Sequence, residues 1–363
     1  MERMKKLPYG MTDFERIIRE KYYYVDKTDY IAKIEEVSSF FFFVRPRRFG
    51  KSLFLNMLAI YYDCNRKEQF EEVFGGLKIG QNPTENHNKY LVLSLNFSSV
   101  PSSPEEMVLG FNVYCCDMLA AFTRKYVHLI GEDVLVEVLK RVDEKTSAPS
   151  MLSYVCSMLE LKGLKMYLVL DEYDNFANNV LVNHGEPVYH NYTHGDGFFR
   201  TFLKIVKDYS KTVIERMYIT GVSPVTMDDL TSGFNIADNY SSDARFNNMI
   251  GFNEAEVCEM LEYYQSQGKF AQPIDETIAL MKPWYDNYCF SEYSLDEPPM
   301  YNSDMVLYFT NRLVGFGQAP KDMLDTNIRT DYNKLRHLLK VDKQFGENAS
   351  VIKEVVRKDI LRE

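Results

Sequence analysis

The feature that most constrains this chain is an apolar run that passes directly into a glycine-lysine-serine triplet and then into a helical pattern. Residues 40–44 are apolar without interruption, as a strand buried on both faces would be. Apolar residues between 53 and 60 recur at helical spacing. The sequence therefore predicts a strand, a tight loop and a helix in direct succession, with the triplet at residues 50–52 opening the helix.

The triplet has the residue types that bind the phosphates of a nucleotide. Because Gly50 has no Cβ, backbone N–H groups near it can approach phosphate oxygens. Lys51 would reach the β and γ phosphates, and Ser52 would offer its hydroxyl to Mg²⁺ at the positive end of the following helix. We expect the following residues to contact the nucleotide: Arg48, Phe49, Gly50, Lys51, Ser52 and Leu53.

The triplet by itself does not establish a phosphate loop. The full pattern is G-x-x-x-x-G-K-[ST], and Arg45 stands where its first glycine should be. An ordinary helix start would explain the triplet as well. The cluster of Arg45, Arg47 and Arg48 could hold phosphates, attract an acidic partner or contact nucleic acid, and a solvated loop with one salt bridge is the simpler interpretation.

A second motif further along the chain supports a nucleotide site. The apolar run at residues 166–170 is followed by two acids, Asp171 and Glu172. Asp171 would hold Mg²⁺, directly or through water, and Glu172 would polarise the water that attacks the γ-phosphate. Seen alone, the pair could be a solvated strand end followed by a helix cap. Two motifs in the correct order, both at strand ends, favour the nucleotide site.

Strand and helix patterns alternate before residue 250. Apolar runs at residues 90–97 and 216–220 are short enough to be central strands, and helical patterns cover residues 105–129 and 197–209. This alternation predicts a parallel sheet covered by helices on both faces. We therefore predict an α/β fold, a P-loop NTPase three-layer sandwich with a mainly parallel central sheet. The run at 90–97 looks like the strand that one branch of these proteins inserts between the phosphate-loop strand and the acidic strand.

A second, smaller domain is predicted to begin near Gly251. Asn253 and Glu256 have the spacing of a capping box, which would start a helix at Glu254. The residues that follow have a mainly helical and more polar pattern. We predict a nucleotide-binding domain over residues 1–250 and a helical lid or winged-helix-like domain over residues 251–363.

The charge and the cysteine content of the chain limit the kinds of binding partner and the cellular compartment that we expect. The chain has 42 Lys plus Arg against 52 Asp plus Glu, a formal charge of −10, which argues against a broad nucleic-acid surface but allows a local basic patch. Its 6 cysteines form no C-x-x-C pair, as expected of free thiols in a reducing cytosol. The N-terminus has no signal-peptide pattern, and no run reaches the roughly 18 apolar residues of a membrane span. We predict a cytoplasmic protein.

An ordered series of segments resembles the bacterial AAA-ATPase-like family. The segments are LPYGMTDF at 7–14, YYVDKTDYI at 23–31, RPRRFGKSLF at 45–54, LVLDEYDNFAN at 168–178, TGVSPV with SGFNIA between 220 and 237, and GF-x-E-x-EV at 251–257. In that family RPRRFGKS is the usual form of the loop, so the absent glycine is a family trait. The resemblance implies a nucleotide-binding module related to the AAA and STAND ATPases. Family members often carry a C-terminal PD-(D/E)XK nuclease-like domain, and no nuclease motif is recognisable in the C-terminal part of this sequence.

Several further positions are candidates for roles at or near such a site. Related ATPases place a polar sensor at the end of the fourth core strand, which implies this role for Thr220, although a strand-end turn explains the residue as well. Residues 23–27 lie where relatives often contact adenine, or their aromatic bulk could serve packing. Arg200 and Arg245 are candidates for an arginine finger by residue type alone. The histidines between 184 and 194 lack zinc-site spacing and are interpreted as part of a polar loop.

The residues and the resemblance together predict an ATP-binding, ATP-hydrolysing module that uses Mg²⁺. It would act as a nucleotide-dependent switch for a protein partner or a nuclease-like effector domain, with the helical domain closing over the nucleotide. The expected catalytic residues are Glu172, Lys51 and Thr220, and the expected metal ligands are Ser52 and Asp171. Two alternatives stay open: a non-catalytic, nucleotide-stabilised scaffold, and the ATPase part of a nuclease-linked system that processes nucleic acid.

Overall fold

The computed structural model describes residues 3–101, 103–175, 197–222, 236–286 and 288–325. Within these ranges the strands are β1 (Phe40–Val44), β2 (Leu91–Asn96), β3 (Met166–Asp171), β4 (Ile214–Gly221) and β5 (Asp238–Asn239). The helices are α1 (Phe14–Arg19), α2 (Tyr30–Val37), α3 (Lys51–Tyr62), α4 (Phe70–Phe74), α5 (Lys78–Gln81), α6 (Pro104–Lys125), α7 (Val127–Ile130), α8 (Glu132–Asp143), α9 (Ala148–Leu161), α10 (Phe198–Tyr209), α11 (Glu254–Ser266), α12 (Ile274–Tyr285) and α13 (Ser303–Phe316).

The strands form one parallel sheet in the order β2-β3-β4-β1-β5. The predicted α/β fold with a parallel central sheet is therefore confirmed, and it is the fold of a P-loop NTPase-like protein. The strand between the phosphate-loop strand β1 and the acidic strand β3 is β4, while β2 forms one edge of the sheet. The expectation that the run at 90–97 is the inserted strand is therefore wrong. Because all strands run in the same direction, their carboxyl ends meet at one edge, where ligands bind in folds of this kind.

The apolar runs predicted the strands closely, and one helix prediction is wrong at its end. β1 has the predicted bounds, and β2, β3 and β4 differ from the prediction by a residue or two at their ends. The helix predicted over 105–129 is interrupted between α6 and α7. Tyr126 lies at the interruption, where its hydroxyl donates to Asp63 Oδ1 and accepts from the Val92 N–H, both at 2.9 Å. This contact with the sheet holds the Tyr126 backbone outside helical geometry.

Two hydrophobic cores cover the two faces of the sheet. Successive side chains of β1 point to opposite faces, as in any strand. Phe42 and Val44 pack into a core with apolar residues of α6, α9 and α10. Phe41 and Phe43 pack into a second core with residues of α2 and α3. This two-sided burial explains why β1 is an uninterrupted apolar run instead of an alternating one.

The helices that follow Gly251 share a third core. Its buried members come mainly from α11, α12 and α13, and N-terminal residues, among them Leu7 and Tyr23, pack against it. The predicted start of α11 is confirmed, because Asn253 and Glu256 form a complete capping box. The N-terminal contribution shows that this core is not built only from late residues, and the domain boundary at residue 250 stays a prediction.

The described ranges contain no helix with both the length and the apolar character that crossing a membrane requires. Within the same ranges, His, Cys, Asp and Glu residues form no group of three or more that could hold a metal ion. The histidines between 184 and 194 lie outside the described residues.

Candidate nucleotide-binding site

The loop between β1 and α3 has the backbone of a phosphate-binding turn. Gly50 is the N-cap of α3 and has a φ of 95°, a left-handed conformation that side chains rarely adopt. Arg48 also has a positive φ, of 66°. Phe49 anchors the loop, because its buried ring makes edge contacts with Tyr288 and Phe290 at centroid distances of 4.7 and 5.4 Å. The side chain of Phe49 therefore fixes the loop.

Arg45, at the position of the absent first glycine, is a structural brace. Its side chain is 2% exposed and lies between the rings of Phe43 and Phe290, at 3.9 and 4.0 Å from their centroids. Its guanidinium donates to the carbonyls of Val44, Ser241 and Phe246, with the shortest of these bonds, to Ser241 O, at 2.7 Å. Burial lowers the pKa of Arg45 to about 9, so the group stays charged at neutral pH. These bonds join the start of the loop to the chain after β5.

Lys51 lies in the mouth of the loop. Its side chain is buried, and its Nζ donates to Arg45 O at 2.8 Å and to Pro46 O at 2.9 Å. Burial lowers the pKa of Lys51 to about 8, while the charges of Asp171 and Glu172 act in the opposite direction. The cation is thus held by carbonyls of the loop itself, and a phosphate group entering the loop would compete with them.

The structure brings the triplet and the acidic strand end together, as the sequence predicts. Ser52 Oγ donates to Asp171 Oδ2 at 2.8 Å, and Asn96 Nδ2 donates to the same oxygen at 3.1 Å. Asp171 is 6% exposed, and burial raises its pKa. A serine hydroxyl and a carboxylate supply oxygen ligands of the kind that Mg²⁺ prefers, so Ser52 and Asp171 fit a magnesium ion. The Asn96 amide oxygen accepts from the Ser98 N–H, so Asn96 would orient the carboxylate through its NH₂ group and would not bind the metal itself.

Asn96 is a residue that the sequence reasoning missed. It ends β2 and lies directly opposite Asp171 in the register of the parallel pair. Asn96 could have been recognised as a site candidate because it is a polar residue at the end of an apolar run, and the carboxyl ends of neighbouring parallel strands lie side by side. Register between strands distant in sequence was needed to connect it with the acidic motif.

The two other predicted catalytic residues occupy different environments. Glu172 follows β3 with a φ of 49°, and burial raises its pKa, with a further contribution from Asp171. Thr220 is fully buried, and its hydroxyl donates to Phe43 O at 2.5 Å. Acting as a sensor of the γ-phosphate would require Thr220 to break this bond to β1, so that role stays a prediction.

A cavity of about 440 Å³ lies against the loop. This volume falls within the range of sites that hold small ligands and cofactors. Its lining includes residues 47–54, Glu172, and the first residues of α13. Residues of two N-terminal segments, 8–12 and 23–27, line it as well, together with residues 249–252. The lining of the cavity therefore combines the phosphate loop with aromatic and aliphatic side chains that could pack against the base of a nucleotide.

The loop is tied to the helical core through α13. Arg48 Nη1 lies 3.0 Å from Asp304 Oδ2, and the Asp304 N–H donates to Arg48 O at 3.2 Å. Asn302 Nδ2 donates to Arg47 O at 3.3 Å. Lys27 also lines the cavity, and its Nζ donates to Asn248 O at 3.0 Å and to Glu256 in the first turn of α11. Contacts with α11 and α13 thus connect the cavity with the later helices.

The arginine-finger candidates lie on different elements. Arg245 is exposed and pairs with Asp243 at 2.7 Å, which is an interaction within its own turn. Arg200 is partly buried on α10. A role for either residue in a second subunit's site stays a prediction.

The sheet order, the left-handed glycine and the contact between Ser52 and Asp171 define a P-loop nucleotide-binding class of protein. The sequence profile of the family described as "Predicted AAA-ATPase" matches residues 8–231, which is more than half of the chain. The chain therefore belongs to this AAA-ATPase-like family, and the predicted resemblance is confirmed.

A relative from Azotobacter chroococcum mcd 1 is similar over most of this chain. It is named "Uncharacterized protein in vnfD 5'region" and is 26% identical over 321 residues, which are 85% of this chain and 52% of the relative. This chain spans about half the length of that relative.

Proposed function

We propose that the protein binds Mg²⁺-ATP in the cavity beside the phosphate loop and hydrolyses it, using the change of nucleotide as a switch. The observation that carries this proposal is the 2.8 Å contact between Ser52 Oγ and Asp171 Oδ2 at the edge of a cavity of about 440 Å³. It joins the two segments that a P-loop enzyme must bring together. Membership of the AAA-ATPase-like family supports a nucleotide-binding, ATPase-like function.

Each predicted site residue except Thr220 has a chemical role in this proposal. The backbone N–H groups of residues 48–53 would surround the phosphates, and the Lys51 ammonium would leave the carbonyls of the loop for phosphate oxygens. Ser52 and Asp171 would hold Mg²⁺, assisted by Asn96. When bound, Mg²⁺ would neutralise charge on the β and γ phosphates. Glu172 would accept a proton from the attacking water, a role that suits a carboxyl group whose pKa is raised by burial.

The apolar part of the cavity lining suits a purine base. Tyr23, Tyr24 and Val25 contribute to it, and so do Ile250 and Leu307. Aromatic and aliphatic side chains bind the face of a base without selecting a particular base. We therefore propose ATP on the basis of family membership, and comparison with GTP is part of the test.

The proposed switch uses the connection between the phosphate loop and α13. Arg48 lies beside the phosphate-binding residues and pairs with Asp304, which lies in the first turn of α13, the last described helix of the helical core. Phosphate oxygens bound nearby would compete with the Asp304 carboxylate for the same guanidinium. Gain and loss of a γ-phosphate would then change how firmly α13 holds the loop, which could be transmitted to a protein partner or effector domain.

Calorimetric titration with ATP, ADP and GTP in Mg²⁺ tests binding. Lys51→Ala should weaken ATP binding by about 30-fold, since a charge-assisted hydrogen bond contributes about 2 kcal/mol. Lys33→Ala is a matched control, because Lys33 is exposed on α2 and pairs with Asp29. Equal affinities of the wild type and Lys51→Ala would contradict the proposed site.

A non-catalytic scaffold is the second candidate function. The bonds from Lys51 to its own loop and from Thr220 to β1 favour it, because both side chains are already satisfied without a nucleotide. Phosphate release separates the two functions. Glu172→Gln should reduce release by about 100-fold or more and spare ATP binding if the protein is an ATPase, whereas a scaffold would bind ATP with no release in either form.

A further inference from the structure

The turn after β3 contains a third acid, Asp174, which the proposed mechanism does not use. Its side chain is 1% exposed, which makes it more deeply buried than Asp171 at 6%. Its two carboxylate oxygens lie 3.2 and 3.1 Å from the Val222 nitrogen, whose N–H donates to them. A buried carboxylate is unfavourable unless hydrogen bonds satisfy it. Here the bond fastens the acidic turn to the end of the neighbouring strand β4.

Glu172, which lies between Asp171 and Asp174 in the turn, has a backbone conformation that glutamate rarely adopts, with a φ of 49°. Its own N–H donates to Asp171 Oδ1 at 2.9 Å. The Tyr173 N–H donates to Thr220 O at 3.2 Å, and the Asn175 N–H donates to Glu172 O at 3.0 Å. Such a conformation persists where the surrounding contacts enforce it, and it aims the side chain in a direction that ordinary strand geometry would not give.

Gly221 is the point where the acidic turn meets the phosphate loop. A Cβ on Gly221 would lie 2.3 Å from Asp174 Oδ1 and 2.7 Å from atoms of the Tyr173 ring. On the other side, Gly221 O accepts from the Arg45 N–H at 3.3 Å. Gly221 also pairs with Val44, the last residue of β1. The absence of a side chain here lets the turn pack directly on the backbone that begins the loop.

We infer that Asp174 is a positioning residue that sets the location of Glu172 relative to the phosphate loop. By holding Val222 and packing on Gly221, its carboxylate fixes the turn against β4, and Gly221 transmits that position to Arg45. This inference rests on the proposed function of Glu172 as the base. A base displaced by about 1 Å can lose about 100-fold in rate while substrate binding is preserved.

The test compares Asp174→Ala and Asp174→Asn with the wild type, measuring the kcat of phosphate release, the Kd for ATP in Mg²⁺, and the melting temperature. Asp174→Ala removes the acceptor for the Val222 N–H, and we expect kcat to fall by about 30-fold or more with Kd changed by less than about threefold. Asp174→Asn keeps an acceptor oxygen, and we expect kcat to stay within about fivefold of the wild type.

Asp63→Ala is the control for a merely structural effect. Asp63 is also a buried carboxylate that accepts from a backbone N–H, that of Asn65, at 2.9 Å. It bridges to Tyr90, next to the start of β2, whereas Asn96 and the candidate site lie at the other end of that strand. This variant should lower the melting temperature and leave kcat unchanged.

A double variant shows whether Asp174 acts through Glu172. In the Glu172→Gln background, Asp174→Ala should reduce the residual turnover by less than about twofold, because there is no base left to misplace. If the wild type hydrolyses ATP and Asp174→Ala has the same kcat, the inference about Asp174 is overturned while the proposed role of Glu172 is not. Equal losses in Asp174→Ala and Asp174→Asn would also overturn the inference, because charge and not the hydrogen bond would then matter. A wild type that binds ATP without turnover would overturn the base role of Glu172 and this inference together.

Discussion

The proposed role of Lys51 predicts that ATP binding depends on pH above neutrality. Burial lowers the pKa of Lys51 to about 8 in the free protein, whereas phosphate oxygens around the ammonium should return it to about 10.5 or above. Above pH 8 the free protein must therefore take up a proton to bind ATP in the charged form. The resulting loss of affinity should be about 20-fold between pH 7.5 and 9.5, with little change below pH 7.5.

The assay is calorimetric titration with Mg²⁺-ATP at several pH values in that range. Repeating each titration in buffers of different ionisation enthalpy measures the protons taken up, which should approach about one per ATP near pH 9. Lys27 also lines the cavity, and burial lowers its pKa too, so its contribution must be separated. Lys51→Arg keeps a charge at every pH used and leaves Lys27 intact, so its affinity should change little over the same range.

Two results would refute the reasoning. An affinity of the wild type that is constant from pH 7.5 to 9.5 would show that the Lys51 ammonium does not gain phosphate contacts on binding. A pH profile of Lys51→Arg with the same slope as that of the wild type would assign the titration to another group.

Three further predictions concern residues around the loop. Arg45→Ala should lower the free energy of unfolding by about 3 kcal/mol in denaturant titrations, because it leaves three carbonyls without their donor, and Arg45→Lys should restore little of it. Arg48→Ala and Asp304→Ala in a double-mutant cycle should give a coupling of up to about 1 kcal/mol for the free protein, since their side chains are 30% and 16% exposed. That coupling should shrink when the cycle is repeated with saturating Mg²⁺-ATP. Asn96→Ala should raise the Mg²⁺ concentration needed for half-maximal phosphate release by roughly tenfold, with melting curves as the control for folding.

The parts of the fold and site that could be predicted from sequence are those that depend on residues within one short, continuous segment. β1 and the start of α3 follow from an apolar run and a glycine-lysine-serine triplet within one stretch of chain. The acidic pair was recognisable because both acids follow one buried strand. Parallel strands end at a common edge, so the approach of Ser52 to Asp171 was predictable without knowing any loop.

The remaining features depend on contacts between distant segments. Arg45 could be assigned as a brace only after the chain around Ser241 and Phe246 was placed beside it. Asn96 is placed beside Asp171 by strand register, and Asp174 is placed by its packing on Gly221. Neither feature is visible in the hydrophobic periodicity of the sequence. The break at Tyr126 was hidden because the helical pattern continues through it. These are cases in which tertiary hydrogen bonds override a local pattern.

The domain division fits the same explanation. A capping box marks the start of α11 in the sequence, whereas nothing local shows that Leu7 and Tyr23 pack on the core that this helix helps to form. Sequence patterns identify where an element begins, and the packing partner of an amphipathic segment requires the whole fold.

Hydrogen exchange with and without Mg²⁺-ATP tests the central claim most directly, because it locates the nucleotide on the chain. Saturating Mg²⁺-ATP should slow amide exchange in peptides that cover residues 48–54 and 171–175, and Lys51→Ala at the same ATP concentration should show much less slowing. Slowed exchange confined to other segments, with both of these peptides unchanged, would contradict the proposed site.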